Sequence, residues 1–279
     1  MGTFEGKAGL LVIDRLLPAG STINEFHIGE LSLNRRGLYT LGVHCVLAQY
    51  YSINPMNIGS NLMQAKQLLN HGVVVARMGD RQNAFECFDR VLQLAPDYAK
   101  GYNNRGLSRY NLGDYQEAIA DFDRAITLNP EYVTSYYNRG NTYRKLKQWN
   151  QALADFERVI QLDPESAKGY LSRGAVYWEL QHDSEALQDF NRAIELNPEL
   201  AAAYNNRGLV YAAQNEVFKA LADFNYALAL NPQFAQAYYN RGDYLVKLGD
   251  YPGAAEDYRQ ALNANLLSIR GISKSKRSD

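Results

Sequence analysis

The sequence predicts an all-α protein, a solenoid of stacked helix pairs, and four ladders in the chain predict it. Glycine recurs every 34 residues at Gly72, Gly106, Gly140, Gly174, Gly208 and Gly242, and alanine does so at Ala84, Ala118, Ala152, Ala186, Ala220 and Ala254. A large ring keeps the same register in Phe88, Phe122, Phe156, Phe190, Phe224 and Tyr258, as does proline in Pro96, Pro130, Pro164, Pro198 and Pro232. A fixed period of this length marks units that bury their apolar faces against their neighbours.

Residues 1–64 precede this register, and clustered breakers at Pro18-Ala19-Gly20-Ser21 and Asn54-Pro55 leave their fold open. Leu38–Ile53, behind Arg35-Arg36, is apolar enough to raise a membrane anchor. It is shorter than the roughly 20 residues of a span and carries His44 and Gln49, so the reading taken is a packed or irregular cap on the solenoid. Six units follow: 65–98, 99–132, 133–166, 167–200, 201–234 and 235–268. In the second, Tyr102, Gly106 and Arg109 mark one helical stripe, and Ala118, Phe122 and Ala125 mark another. Gly106 and Ala118 let the two helices approach closely, Leu112-Gly113-Asp114 supplies the turn, and Asn129-Pro130 stops the second helix. The last unit has Leu266 at the proline place, so its second helix is free to run on as a cap. Residues 269–279 are polar, basic and read as a disordered, solubilising tail rather than a nucleic-acid arm.

The unit resembles the tetratricopeptide repeat, whose pattern is W-x2-L-G-x2-Y, then A-x3-F, then P. Tyr102-x2-Arg105-Gly106, Ala118-x3-Phe122 and Pro130 carry the match, with tyrosine for tryptophan and arginine for leucine. The Asn-Arg-Gly of the first helices, as at Asn104-Arg105-Gly106, resembles the bacterial type of this family. The resemblance covers about three quarters of the chain and implies a right-handed superhelix whose concave face holds a segment of another protein.

Net charge is −1, with no bias of the whole molecule toward nucleic acid or an acidic membrane surface. Two cysteines, Cys45 and Cys87, cannot form the disulfide framework of a secreted domain, and Leu10–Ile13 is cut short by Asp14 and Arg15, so no signal peptide is read. A cytoplasmic protein is expected. The chain has 21 tyrosines, and many stand at the fourth place of a unit (Tyr102, Tyr136, Tyr170, Tyr204, Tyr238), where packing accounts for them.

Arginine occupies place seven in five units (Arg105, Arg139, Arg173, Arg207, Arg241), and aspartate occupies place twenty-three in the same five (Asp121, Asp155, Asp189, Asp223, Asp257). The first unit has His71 and Cys87 instead, so both members are lost together. That joint loss predicts a ladder of Arg–Asp pairs rather than an arginine row reading a ligand. His71 and Cys87 could be drawn as base and nucleophile, yet the sequence shows no orienting third group. The scattered His27, His44 and His182 lack ligand spacing; no metal, cofactor, phosphate loop or hydrolase elbow is read, and no enzyme is expected.

The expected function is a protein–protein scaffold or adaptor; an assembly chaperone for a membrane or multi-subunit complex and the regulatory part of an enzyme are the alternatives. Places four, eight and eleven of the first helix are expected to face the core, and places two, five, nine, twelve and thirteen to form the stripe that the family presents to ligand. That stripe names Lys66, Leu69, Val73 and Arg77 in the first unit, Lys100, Asn103, Leu107 and Tyr110 in the second, and Tyr137, Asn141, Arg144 and Lys145 in the third. It continues through Lys168, Leu171 and Trp178, then Asn205 and Leu209, then Tyr239 and Asp243. Leu69, Val73, Asn103 and Leu107 depart from the family's two-carboxylate clamp for chaperone C-termini. The partner expected is an extended or helical protein segment with acidic residues against units one to four and an apolar anchor near Trp178, Leu209 and Ala212. Asn103, Asn141 and Asn205 are expected to hydrogen-bond its backbone, and neither nucleic acid nor membrane is expected.

Overall fold

The computed structural model of the protein describes residues 58–275. Twelve α-helices, and no strand, occur among the described residues: α1 Ile58–Arg77, α2 Arg81–Leu94, α3 Ala99–Leu112, α4 Tyr115–Leu128, α5 Val133–Lys145, α6 Trp149–Leu162, α7 Ala167–Glu179, α8 Asp183–Leu196, α9 Ala201–Ala213, α10 Val217–Leu230, α11 Ala235–Leu248 and α12 Tyr251–Ser275. They stack as six antiparallel pairs in a helical solenoid. The segment 1–57, including the candidate anchor, lies outside the described residues. None of the described helices is long and apolar enough to cross a membrane.

Punctuation between helices is chemical and repetitive. The turn inside each pair needs one left-handed residue, which is Gly79, Gly113 or Gly249 in three units and Lys147, Gln181 or Asn215 in the other three. Four of the six helix pairs end on Asn129, Asp163, Asn197 and Asn231, each of which accepts, through its side chain, the backbone N–H two residues on. Proline follows each of them and cannot extend the helix.

The ladders seen in the sequence form the core. Phe88, Phe122, Phe156, Phe190 and Phe224 are buried, each contributing about 2–3 kcal/mol by leaving water. A Cβ placed on any of the six ladder glycines would stand 2.7–3.0 Å from a carbon of the ring in its own unit. The missing side chain is therefore what allows the ring to lie against the first helix.

The Arg–Asp ladder is present in all five units that carry it. Each arginine forks onto its own aspartate through Nε and Nη2, at 2.6–3.0 Å. Four of the five also reach back with Nη1 to the preceding unit, at Asp89, Asp123, Asn191 and Asn225. The guanidinium groups lie over the place-four tyrosines at 5.5–5.8 Å, which accounts for that column of rings. Burial opposes the charge on Arg139, and its hydrogen bonds to Asp155 and Asp123 override that cost, so its pKa rises above the ordinary arginine value.

The expected core stripe needs correction. Places four, eight and eleven are all buried only in the first unit, as Leu68, Gly72 and Val75. In every one of units two to six places three, eight and ten are buried, for example Gly101, Gly106 and Ser108, or Ala203, Gly208 and Val210. The reason is the neighbour: a Cβ on Gly101 would stand 2.8 Å from Leu92, and one on Gly169 would stand 2.9 Å from Val159, both on the preceding unit's second helix. The backbone also exceeds the 34-residue frame at both ends. Helix α1 begins at Ile58, ahead of Ala65, and α12 continues through 269–275, the stretch expected to be a tail. With Leu266 where the other units have proline, nothing local stops it.

Candidate functional site

First helices of adjacent units touch one another all along the stack, whereas second helices touch no other second helix. The stack therefore curves with α1, α3, α5, α7, α9 and α11 on its inner side. The sequence-predicted stripe lies on these first helices. Lys66, Lys100 and Lys168 stand exposed at place two, and Arg77 and Lys145 stand exposed at place thirteen. Leu107 and Asp243 are exposed at place nine, with Asp243 accepting a 2.7 Å hydrogen bond from the Tyr258 hydroxyl. Val73, Tyr110, Asn141, Arg144, Trp178 and Leu209 are half-buried and line the floor.

Three of the predicted residues are not available to a ligand. Leu69 is 8% exposed and belongs to the core around Phe88 and Val91. Asn103 is buried, its side-chain oxygen accepting from the Ser135 hydroxyl and from Asn138 Nδ2. Asn205 is buried likewise, accepting from Asn240 Nδ2 and donating to Asn206 Oδ1. Place five is turned inward: it holds a ring or aliphatic side chain packed toward the second helix of its own unit, as in Tyr137, Leu171 and Tyr239, or an asparagine spent on a bond to the next unit. Asn141 also spends a donor locally, on the carbonyl of Tyr137.

The third unit carries a feature that the stripe alone does not show. Arg144, Lys145, Lys147, Trp149 and Glu179 line a depression of about 210 Å³ at the turn from α5 to α6. Lys147 and Trp149 are absent from the predicted stripe, which stops at place thirteen. The available signal was that Lys147 stands in the turn at the place where three other units have glycine.

Cys87 is buried, and burial first, then the charges of Glu86 and Asp80, push its thiol up to about 11. A thiol held protonated is a poor nucleophile, so the geometry gives no support to the His71–Cys87 dyad. Among the described residues no group of three or more His, Cys, Asp or Glu is placed to hold a metal ion.

Comparison with known proteins places these features in a family. Family models described as tetratricopeptide repeat match residues 99–132 and 133–166, which are the second and third units, and residues 205–265. A model described as TPR repeat matches 183–215. Together the matches span more than half of the chain. No curated protein matches this chain at a significant level. Among solved structures, a tetratricopeptide repeat protein from Parabacteroides merdae ATCC 43184 is 22% identical, with a TM-score of 0.60 over 72% of this chain and 79% of that one. Pseudomonas aeruginosa PilF is 15% identical at a TM-score of 0.62, covering 69% of this chain and 88% of that one. A thermophilic tetratricopeptide repeat protein of Thermus thermophilus is 20% identical at 0.57, covering 65% and 99%. At these identities the likeness is one of fold.

Proposed function

This chain belongs to the tetratricopeptide repeat family, and from that premise we propose that it is a protein-interaction scaffold that holds an acidic segment of a partner protein along the inner face of its first helices. One observation carries this reading. Lys66, Lys100 and Lys168 project exposed from the same place of three units, and none of them has an ion-pair partner among the described residues, whereas every place-seven arginine is neutralised within the fold. Unpaired cations on first helices that also carry half-buried Tyr110 and Trp178, with Leu209 on the next first helix, suit a segment that brings its own carboxylates and an apolar anchor.

The test is charge reversal of Lys66, Lys100 and Lys168 together in the full-length chain. Each rim cation contributes about 0.5–1 kcal/mol, so capture of the partners retained by the wild-type protein should weaken at least about tenfold and lose much of its salt dependence. Unchanged capture with intact helical content refutes the groove reading.

A further inference from the structure

We propose that Arg144, Lys145 and Lys147, walled by Trp149 at the turn from α5 to α6, form a seat for one acidic side chain of the bound segment. The proposal rests on the scaffold reading and adds a specific contact to it.

The first observation is an unsatisfied donor. Arg144 Nε is buried without an acceptor among the described residues, and its Nη2 reaches only Asn141 Oδ1 at 3.4 Å. The ladder arginines supply the contrast, since each has Nε and Nη2 satisfied by one carboxylate. A buried guanidinium donor that lacks an acceptor is a costly arrangement, and a carboxylate entering from solvent would relieve it.

The second observation is the company Arg144 keeps. Lys145 and Lys147 are exposed beside it, and neither has an ion-pair partner among the described residues. Lys147 has φ +57°, so its side chain leaves the backbone from a left-handed residue in the turn itself rather than from a helix face. Three cations thus border one depression against the single carboxylate of Glu179. Its volume of about 210 Å³ admits one acidic side chain, and Trp149 offers that side chain's methylenes an apolar wall.

The seat is tested on the full-length chain with two fluorescein-labelled twelve-residue peptides. One carries a Glu-Glu pair and a leucine; its twin carries Gln-Gln at the same positions. The acidic peptide is expected to bind about tenfold more tightly than its twin by fluorescence anisotropy, and the pair Arg144→Gln with Lys147→Gln to bring that ratio close to one. Glu179→Gln should raise the ratio. The chain has two tryptophans, and the tryptophan emission of the wild-type protein should shift as the acidic peptide saturates, with the Trp149 share of that shift lost in Trp149→Phe. Equal affinity for the two peptides overturns the seat and leaves the groove reading standing. A high ratio that survives Arg144→Gln with Lys147→Gln and disappears on reversal of Lys100 and Lys168 places the acid elsewhere and overturns the seat too. Binding of neither peptide, or a silent Trp149, also counts against it, and the first of these counts against the groove as well.

Discussion

Arg139 grips Asp155 across the third helix pair at both ends of its fork, with Nε donating to Oδ2 at 2.9 Å and Nη2 donating to Oδ1 at 2.7 Å, while its remaining nitrogen reaches back to Asp123 of the preceding unit. One side chain thereby joins two helices of its own unit and two successive units. Asp155 is almost wholly buried and Arg139 partly so. Removing the acid leaves a partly buried cation with only the exposed Asp123 as a partner, so Asp155→Ala should destabilise the protein by about 3 kcal/mol, whereas Arg139→Leu with Asp155→Leu should lie within about 1 kcal/mol of the wild type. Urea unfolding followed by circular dichroism distinguishes the two. Equal losses for the single and double variants would mean that the pair, rather than the orphaned charge, carries the energy.

The turns make a second prediction. Gln181 holds φ +62° where Gly113 holds φ +98° at the equivalent place. A left-handed non-glycine residue costs about 1 kcal/mol, part of which returns as lost chain entropy when glycine replaces it. Gln181→Gly should therefore raise stability by about 0.5 kcal/mol, and Gly113→Ala should lower it by about 1 kcal/mol although a Cβ there meets open space. Thermal unfolding of the two variants should move in opposite directions.

Cys87 predicts a dependence on alkaline pH. Its pKa in the folded protein, about 11, lies above the ordinary thiol value of 9.0. The unfolded chain therefore gives up the proton first as pH rises. The stability that Cys87 lends is fully present below pH 9 and is lost as pH climbs through about 11. The urea midpoint of the wild type should fall faster than that of Cys87→Ala between these limits, and the native thiol should resist alkylation at pH 8. Parallel curves for the two proteins would refute the account.

Leucine at one place of the second helix shows what a following unit does. Leu92 and Leu228 are 7% and 6% exposed under the next pair, while Leu262, at the same place of the last unit, is 57% exposed. Leu228→Ala should cost about 2–4 kcal/mol, and Leu262→Ala should change stability by no more than about 0.5 kcal/mol. Denaturant midpoints of the two variants check this, and a large loss at Leu262 would show that something covers α12.

Much of the fold was legible because the period is longer than any local ambiguity. Helix or strand is uncertain from a dozen residues, but six glycines 34 apart opposite six rings admit few arrangements, and the joint absence of arginine and aspartate from the first unit betrayed their contact. The groove was less legible. Asn103 and Asn205 looked like backbone readers, and only the packing of one unit on the next turned them inward.

The sequence by itself determined the helix pairs, their boundaries to within a turn in the interior units, and the chemistry that joins them, because those depend on spacing along one chain. Only the tertiary structure decided which face of each first helix is covered. Burial at places three and ten depends on the preceding unit's second helix, which periodicity within a helix does not register. The depression has a local origin instead: Arg144, Lys147 and Trp149, on a helix end, a turn and a helix start of one unit, are brought together by the left-handed backbone at Lys147, and side-chain spacing alone carries no measure of that angle.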